Sequence, residues 1–98
     1  MLKISINESK TQYRMVLEGK LVAPWTATFT NAGERALQDL AGRRFVIDVK
    51  NVTAIGEDGK AALQELMLEG ASFICCGMFT RQVLKEIARH AMQKERKG

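Results

Sequence analysis

Residues 43–66, R-R-F-V-I-D-V-K-N-V-T-A-I-G-E-D-G-K-A-A-L-Q-E-L, constrain the fold more than any other stretch of this chain. Phe45, Val46, Ile47 and Val49 are aromatic or β-branched and only Asp48 interrupts them, so the stretch opens as a strand with apolar side chains on both faces. A strand of that kind lies inside a sheet. The apolar run then gives way to Asn51 through Gly59, whose two glycines predict a loop. Beyond the loop, Ala62, Leu63, Leu66 and Met67 share one face at helical spacing. Glu57 and Asp58 fall where this helix begins, close to its unsatisfied amides and the positive end of its dipole. This acidic helix start is the leading candidate for a functional surface.

The segments on either side fit a small α/β domain. Leu2, Ile4 and Ile6 alternate with polar residues, and Tyr13, Met15 and Leu17 alternate again after the polar turn Asn7-Glu8-Ser9-Lys10, which predicts an antiparallel hairpin. Gly19 ends or bulges its second strand. Leu21-Val22-Ala23 leads into Pro24, which suits a strand exit or a first helical turn. From Trp25 the period changes: Phe29, Ala32, Ala36, Leu37 and Leu40 lie on one side of a helix, with Asn31, Glu34, Arg35, Gln38 and Asp39 on the other. Trp25 reads as an aromatic lid on the core, and Gly42 as the glycine that closes the helix, with Arg43 and Arg44 at the negative end of its dipole. After the acidic helix, Gly70 terminates and Phe73-Ile74-Cys75-Cys76 forms a short strand, a parallel neighbour of the central one. Gly77-Met78-Phe79 reads as a loop, Thr80 as an N-cap, and Val83, Leu84, Ile87 and Ala91 as one face of a last helix.

A chain of 98 residues, 46% hydrophobic and 27% charged, is expected to form a single domain over residues 1–98, with residues 93–98 a frayed basic tail. The net charge of +4 gathers in Arg43, Arg44, Arg89, Lys94, Arg96 and Lys97 and reads as a solvated face, without nucleic-acid contact. Met1 to Ile6 has neither the apolar run of a membrane span nor a leader's cleavage site, so a cytoplasmic protein with no direct membrane insertion is expected. Cys75 and Cys76 are adjacent and point apart in a strand, which excludes a disulfide framework.

Catalytic chemistry finds few parts here. His90 lies on a basic helix with no cysteine or serine at helical spacing beside it, and the two cysteines sit in an apolar strand, which suits core cysteines better than reactive thiols. One histidine and two adjacent cysteines do not make a tetrahedral metal set. Glu57 and Asp58 point in different directions and are stabilised as anions by the dipole, which suits structure better than proton transfer. Gly56-x-x-Gly59 lacks the lysine and hydroxyl residue of a phosphate loop. A non-enzyme without cofactors is therefore expected.

The order Val46-Ile47-Asp48-Val49, Val52-Thr53-Ala54-Ile55, Gly56-Glu57-Asp58-Gly59 resembles the STAS domain family, which includes bacterial anti-sigma factor antagonists. Leu17-Glu18-Gly19-Lys20-Leu21 is similar to that family's early L-x-G-x-L turn, and Gly70 to Cys76 to the strand after its switch helix, so the likeness runs roughly from Leu17 to His90. In the family the third element reads Asp-Ser-Ser-Gly or a close variant, and a kinase partner phosphorylates the first serine. Here Gly56 stands at the aspartate, Glu57 at the serine and Gly59 at the glycine.

The resemblance implies a small mixed β-sheet with helices packed mainly on one face. It also implies a regulatory protein-interaction module that lacks the usual serine switch. Its surface would be Ile55, Gly56, Glu57, Asp58, Gly59 and Lys60, supported by Asp48 and Thr53, with an anti-sigma factor or kinase as partner. Glu57 then mimics the phosphorylated state, suits a partner's basic pocket, or caps helix amides. The other readings are a subunit bound to a transporter ATPase in a membrane-associated assembly, and a small-ligand protein using the Gly56 to Gly59 loop. Family members commonly continue into a further strand and helix, which leaves an edge here that another chain, including a second copy in a homodimer, could complete.

Overall fold

The computed structural model describes residues 1–75 and 81–89. β1 (Leu2–Glu8) and β2 (Gln12–Leu21) form the expected antiparallel hairpin, with Leu2 opposite Gly19 and Glu8 opposite Tyr13. Ser9 ties the turn: its Oγ accepts from the Gln12 amide at 3.1 Å. α1 (Trp25–Asp39) then crosses to β3 (Arg44–Ile55), which runs parallel to β2. α2 (Glu57–Leu68) crosses to β4 (Ser72–Ile74), parallel to β3, and residues 81–89 form a helix, α3. The strand order β1-β2-β3-β4 makes one mixed sheet with β3 inside it.

Every residue from Phe45 to Val49 is buried, as the two-sided apolar pattern requires. Phe45, Ile47 and Val49 face a core that they share with Met15, Leu17 and Phe29, and with Leu63 and Ile87 from α2 and α3. All three helices bury apolar side chains in this cluster, so the helix layer lies on one face of the sheet. The opposite face carries Arg14, Val16, Val46 and Asp48.

Three expectations need correction. The loop expected from Asn51 to Gly59 is largely strand, because β3 continues to Ile55 and only Gly56 separates it from α2. Two irregularities hid it. From the Val16–Asp48 pair to the Glu18–Asn51 pair β2 advances two residues and β3 three, and from Gly19–Val52 to Lys20–Ala54 β2 advances one and β3 two. Each extra β3 residue is a bulge, so Val49 and Val52 both face the core although three positions apart. Gly19, with φ +106°, sits within the irregular stretch of β2, which goes on to Leu21. Trp25 does not close the core: it is 36% exposed, while Thr26 and Phe29 supply the buried face of that helix end. β4 stops at Ile74, leaving Cys75 half-buried against the core. Cys76, the 77–79 loop, Thr80, His90, Ala91 and the 93–98 tail lie outside the described residues.

α1 ends where Ala41 and Gly42 take left-handed conformations, φ +52° and +79°. Arg43 turns back to donate to the Leu40 carbonyl at 2.9 Å and the Asp39 carbonyl at 2.6 Å, and pairs with Glu8 at 3.0 Å. The guanidinium thus satisfies orphan carbonyls of α1 and pins it to the hairpin turn.

The start of α2 is seated by Gly59. A Cβ there would lie 2.5 Å from the Leu21 carbonyl oxygen and 2.9 Å from Leu21 Cγ, so the helix passes closer to the end of β2 than any side chain permits. Gly59→Ala is expected to lower unfolding stability by about 1–3 kcal/mol through this overpacking. Chemical denaturation checks it, and an unchanged midpoint would mean that α2 is not seated on β2 in this way.

Candidate functional site

β3 delivers the chain to α2 through Ile55 and Gly56. Ile55 pairs with Leu21, and the Gly56 amide donates to the Leu21 carbonyl at 3.0 Å, so the turn is tied to the sheet on both sides. Gly56 takes the N-cap position in extended conformation, φ −83° and ψ 178°, and its carbonyl accepts from the Lys60 amide at 2.9 Å. With no side chain at the N-cap, the first-turn carboxylates of Glu57 and Asp58 supply the negative charge that a helix start favours.

The expected surface residues are contiguous but do not all face outward. Gly59 is buried under Leu21, whereas Glu57 and Asp58 are exposed. The Glu57 side chain is 91% exposed, and its Oε1 lies 3.5 Å from Lys60 Nζ. Lys60 also reaches Glu86 on α3, at 3.8 Å. Glu57, Lys60 and Glu86 thus line a shallow groove between α2 and α3, beside Gln64 and Ile87. Asp58 turns the other way, into a groove of about 590 Å³ between α1 and α2 that it shares with Glu34, Glu65 and Glu69.

Glu86 was not legible as a partner of the helix start, since only the packing of α3 beside α2 brings it there. Glu65 and Glu69 carried a readable signal: they follow Asp58 at seven and eleven positions, which is one face of a helix.

Asp48 and Thr53 do not join this surface. Asp48 points to the face of the sheet opposite the helices, where its Oδ2 accepts from Arg14 Nη2 at 2.7 Å and lies 3.6 Å from Lys50 Nζ. Its Oδ1 accepts from the Lys50 amide at 3.0 Å. Thr53 donates from Oγ1 to the Gly19 carbonyl at 3.2 Å, bracing the bulged stretch. Both residues hold the sheet that presents the helix start.

Burial pushes the Asp48 carboxyl up, but the Arg14 hydrogen bond, the Lys50 amide and the two nearby positive charges outweigh it and hold the group below the ordinary carboxylate range. Among the described residues, Arg14 Nε is buried beside it without a hydrogen-bond partner. Among the described residues no three histidine, cysteine, aspartate or glutamate side chains gather to hold a metal ion, and no helix is long and apolar enough to cross a membrane.

No protein-family model matches the chain, and a search of curated proteins returned no match. Among solved structures it is similar to the crystal structure of an antisigma-factor antagonist, a STAS domain from Rhodobacter sphaeroides. Identity is 26%, the match covers 79% of this chain and 87% of that one, and the TM-score is 0.57. The four-stranded mixed sheet with its three helices matches the STAS fold.

Because folding lowers the Asp48 pKa, its stabilising contribution is present above the unfolded value of about 3.9 and is lost as pH falls through the lower folded value. Asp48→Asn should cost about 1–3 kcal/mol at neutral pH by weakening a charged hydrogen-bond set. Denaturation across pH should show the gap to wild type closing as pH falls below about 3.9. A gap that stayed constant down to acid pH would contradict the ionic role.

Proposed function

We propose that this chain is a non-catalytic regulatory module that binds another protein through the exposed start of α2, in the manner of an anti-sigma factor antagonist but without a serine switch at that position. The observation that carries this reading is the 91% exposed carboxylate of Glu57 at the first residue of α2, on a fold similar to an antisigma-factor antagonist. The partner in this reading is an anti-sigma factor or its kinase, in a bacterial cytoplasm.

A phosphoserine at a helix start brings about two negative charges and three acceptor oxygens. Glu57 brings one permanent charge, and Lys60 partly offsets it at 3.5 Å. The surface therefore presents a fixed pattern, Glu57 beside Lys60 beside Glu86, that no kinase or phosphatase acting at position 57 resets. It suits constitutive recognition, with the partner's charges arranged to match. Because Glu57 and Lys60 project from a helix whose seating depends on Gly59 and Leu21, changing their charge leaves the fold in place.

Affinity capture of the tagged chain from its native lysate tests this. Wild type and Glu57→Ser should retain a common partner, while Glu57→Lys and Lys60→Glu should lose it, about tenfold or more in affinity for a charge reversal at an interface. Circular dichroism and melting temperature should match wild type for all variants. Equal capture by the charge-reversed variants would remove the interaction from this surface. A ligand-dependent rise in melting temperature with no protein captured would favour a small-ligand carrier instead.

A further inference from the structure

Two outward surfaces of the helix layer carry opposite charge, and neither includes Glu57. The first is the groove between α1 and α2, where Glu34, Asp58, Glu65 and Glu69 surround an apolar floor that includes Leu37 and Leu66. Among the described residues no lysine or arginine lines it, and none of the four acids enters an ion pair. In a chain with net charge +4, this concentration of uncompensated carboxylates is a local inversion of sign.

The second surface is on α3. Arg81, Lys85 and Arg89 recur every fourth residue and all three are exposed. At roughly 100° per residue they lie opposite Val83 and Ile87, the buried positions of that helix, so they form a basic ridge pointing away from the core. No ion pair engages them among the described residues.

The two surfaces flank α2. It shares the acidic groove with α1 on one side and meets α3 through Lys60 and Glu86 on the other. Their spacing also agrees. Successive ridge residues are about 6 Å apart along the helix, as are Glu65 and Glu69, with Asp58 about 10 Å before Glu65. Arginine and lysine stems can lie along an apolar floor while their charged ends reach a rim of carboxylates.

We propose that the occupant of the groove is a second copy of this chain: the α3 ridge of each copy lies in the α1–α2 groove of the other, about a two-fold axis. Such an arrangement makes both contacts at once and closes on itself. Charge supplies most of the attraction, so the dimer is weak and sensitive to salt. It does not rest on the role given above to Glu57, which lies outside both surfaces.

Sedimentation of purified chain at low and high salt, with one charge-reversed variant of each surface, tests the proposal. Wild type should dimerise at about 50 mM salt and weaken about tenfold at about 500 mM. Glu34→Lys with Glu65→Lys and Glu69→Lys leaves Asp58 as the groove's one acid and places positive groove against positive ridge, and Arg81→Glu with Lys85→Glu places negative against negative. Each variant alone should be folded and monomeric, whereas an equal mixture of the two should recover a one-to-one dimer, because both of its contacts are again complementary. A wild type that stays monomeric at low salt overturns the proposal, as does a dimer in either variant alone or a mixture that remains monomeric. A monomer whose groove instead binds a lysine-rich amphipathic peptide would assign the groove to another protein and overturn the second-copy reading.

Discussion

The structure depends on burying one strand from both sides. Phe45, Ile47 and Val49 fill the core beneath the helices, while Val46 and Asp48 occupy the other face between β2 and β4. Parallel pairing on both edges forces a crossover at each end of β3, and α1 and α2 provide them on the same side of the sheet. The one charged group within the run, Asp48, is tolerated because Arg14 and Lys50 meet it at hydrogen-bonding or ion-pair distance.

From that constraint follows the position of the helix start. β3 is two residues longer than its β2 partner across the paired region, and the bulges that absorb them carry the chain to Ile55 beside Leu21. Gly56 then bonds to Leu21, and Gly59 lets α2 pass over the same residue. The result is a rigidly placed first turn whose outward residues, Glu57, Asp58 and Lys60, are free to differ without disturbing what lies under them.

Much of this was readable in the sequence where one period held. The alternation of Tyr13, Met15 and Leu17, the helical spacing of Phe29 with Ala36 and of Leu63 with Leu66, and the apolar run at Phe45–Val49 that only Asp48 interrupts each translate into the observed elements. Reading failed where the period broke. Asn51 to Ile55 looked like a loop because two bulges shift the alternation, and Trp25 looked like a lid because its size says nothing of which way a helix start faces. For the site, Glu57 and Asp58 were placed correctly at a helix start, but the inward turn of Gly59 and the distance of Asp48 from this surface depend on contacts between elements. Glu86 reaches Lys60 only through tertiary packing, which spacing along the chain does not encode.

The central claim, that the α2 start is where this chain meets another protein, is tested most directly by amide hydrogen exchange on the chain alone and in complex with its captured partner. Added protection at residues 55–64, with the sheet face of Arg14, Asp48 and Lys50 unchanged, is the predicted result. Protection confined to that sheet face, with 55–64 exchanging as in the free chain, would contradict it.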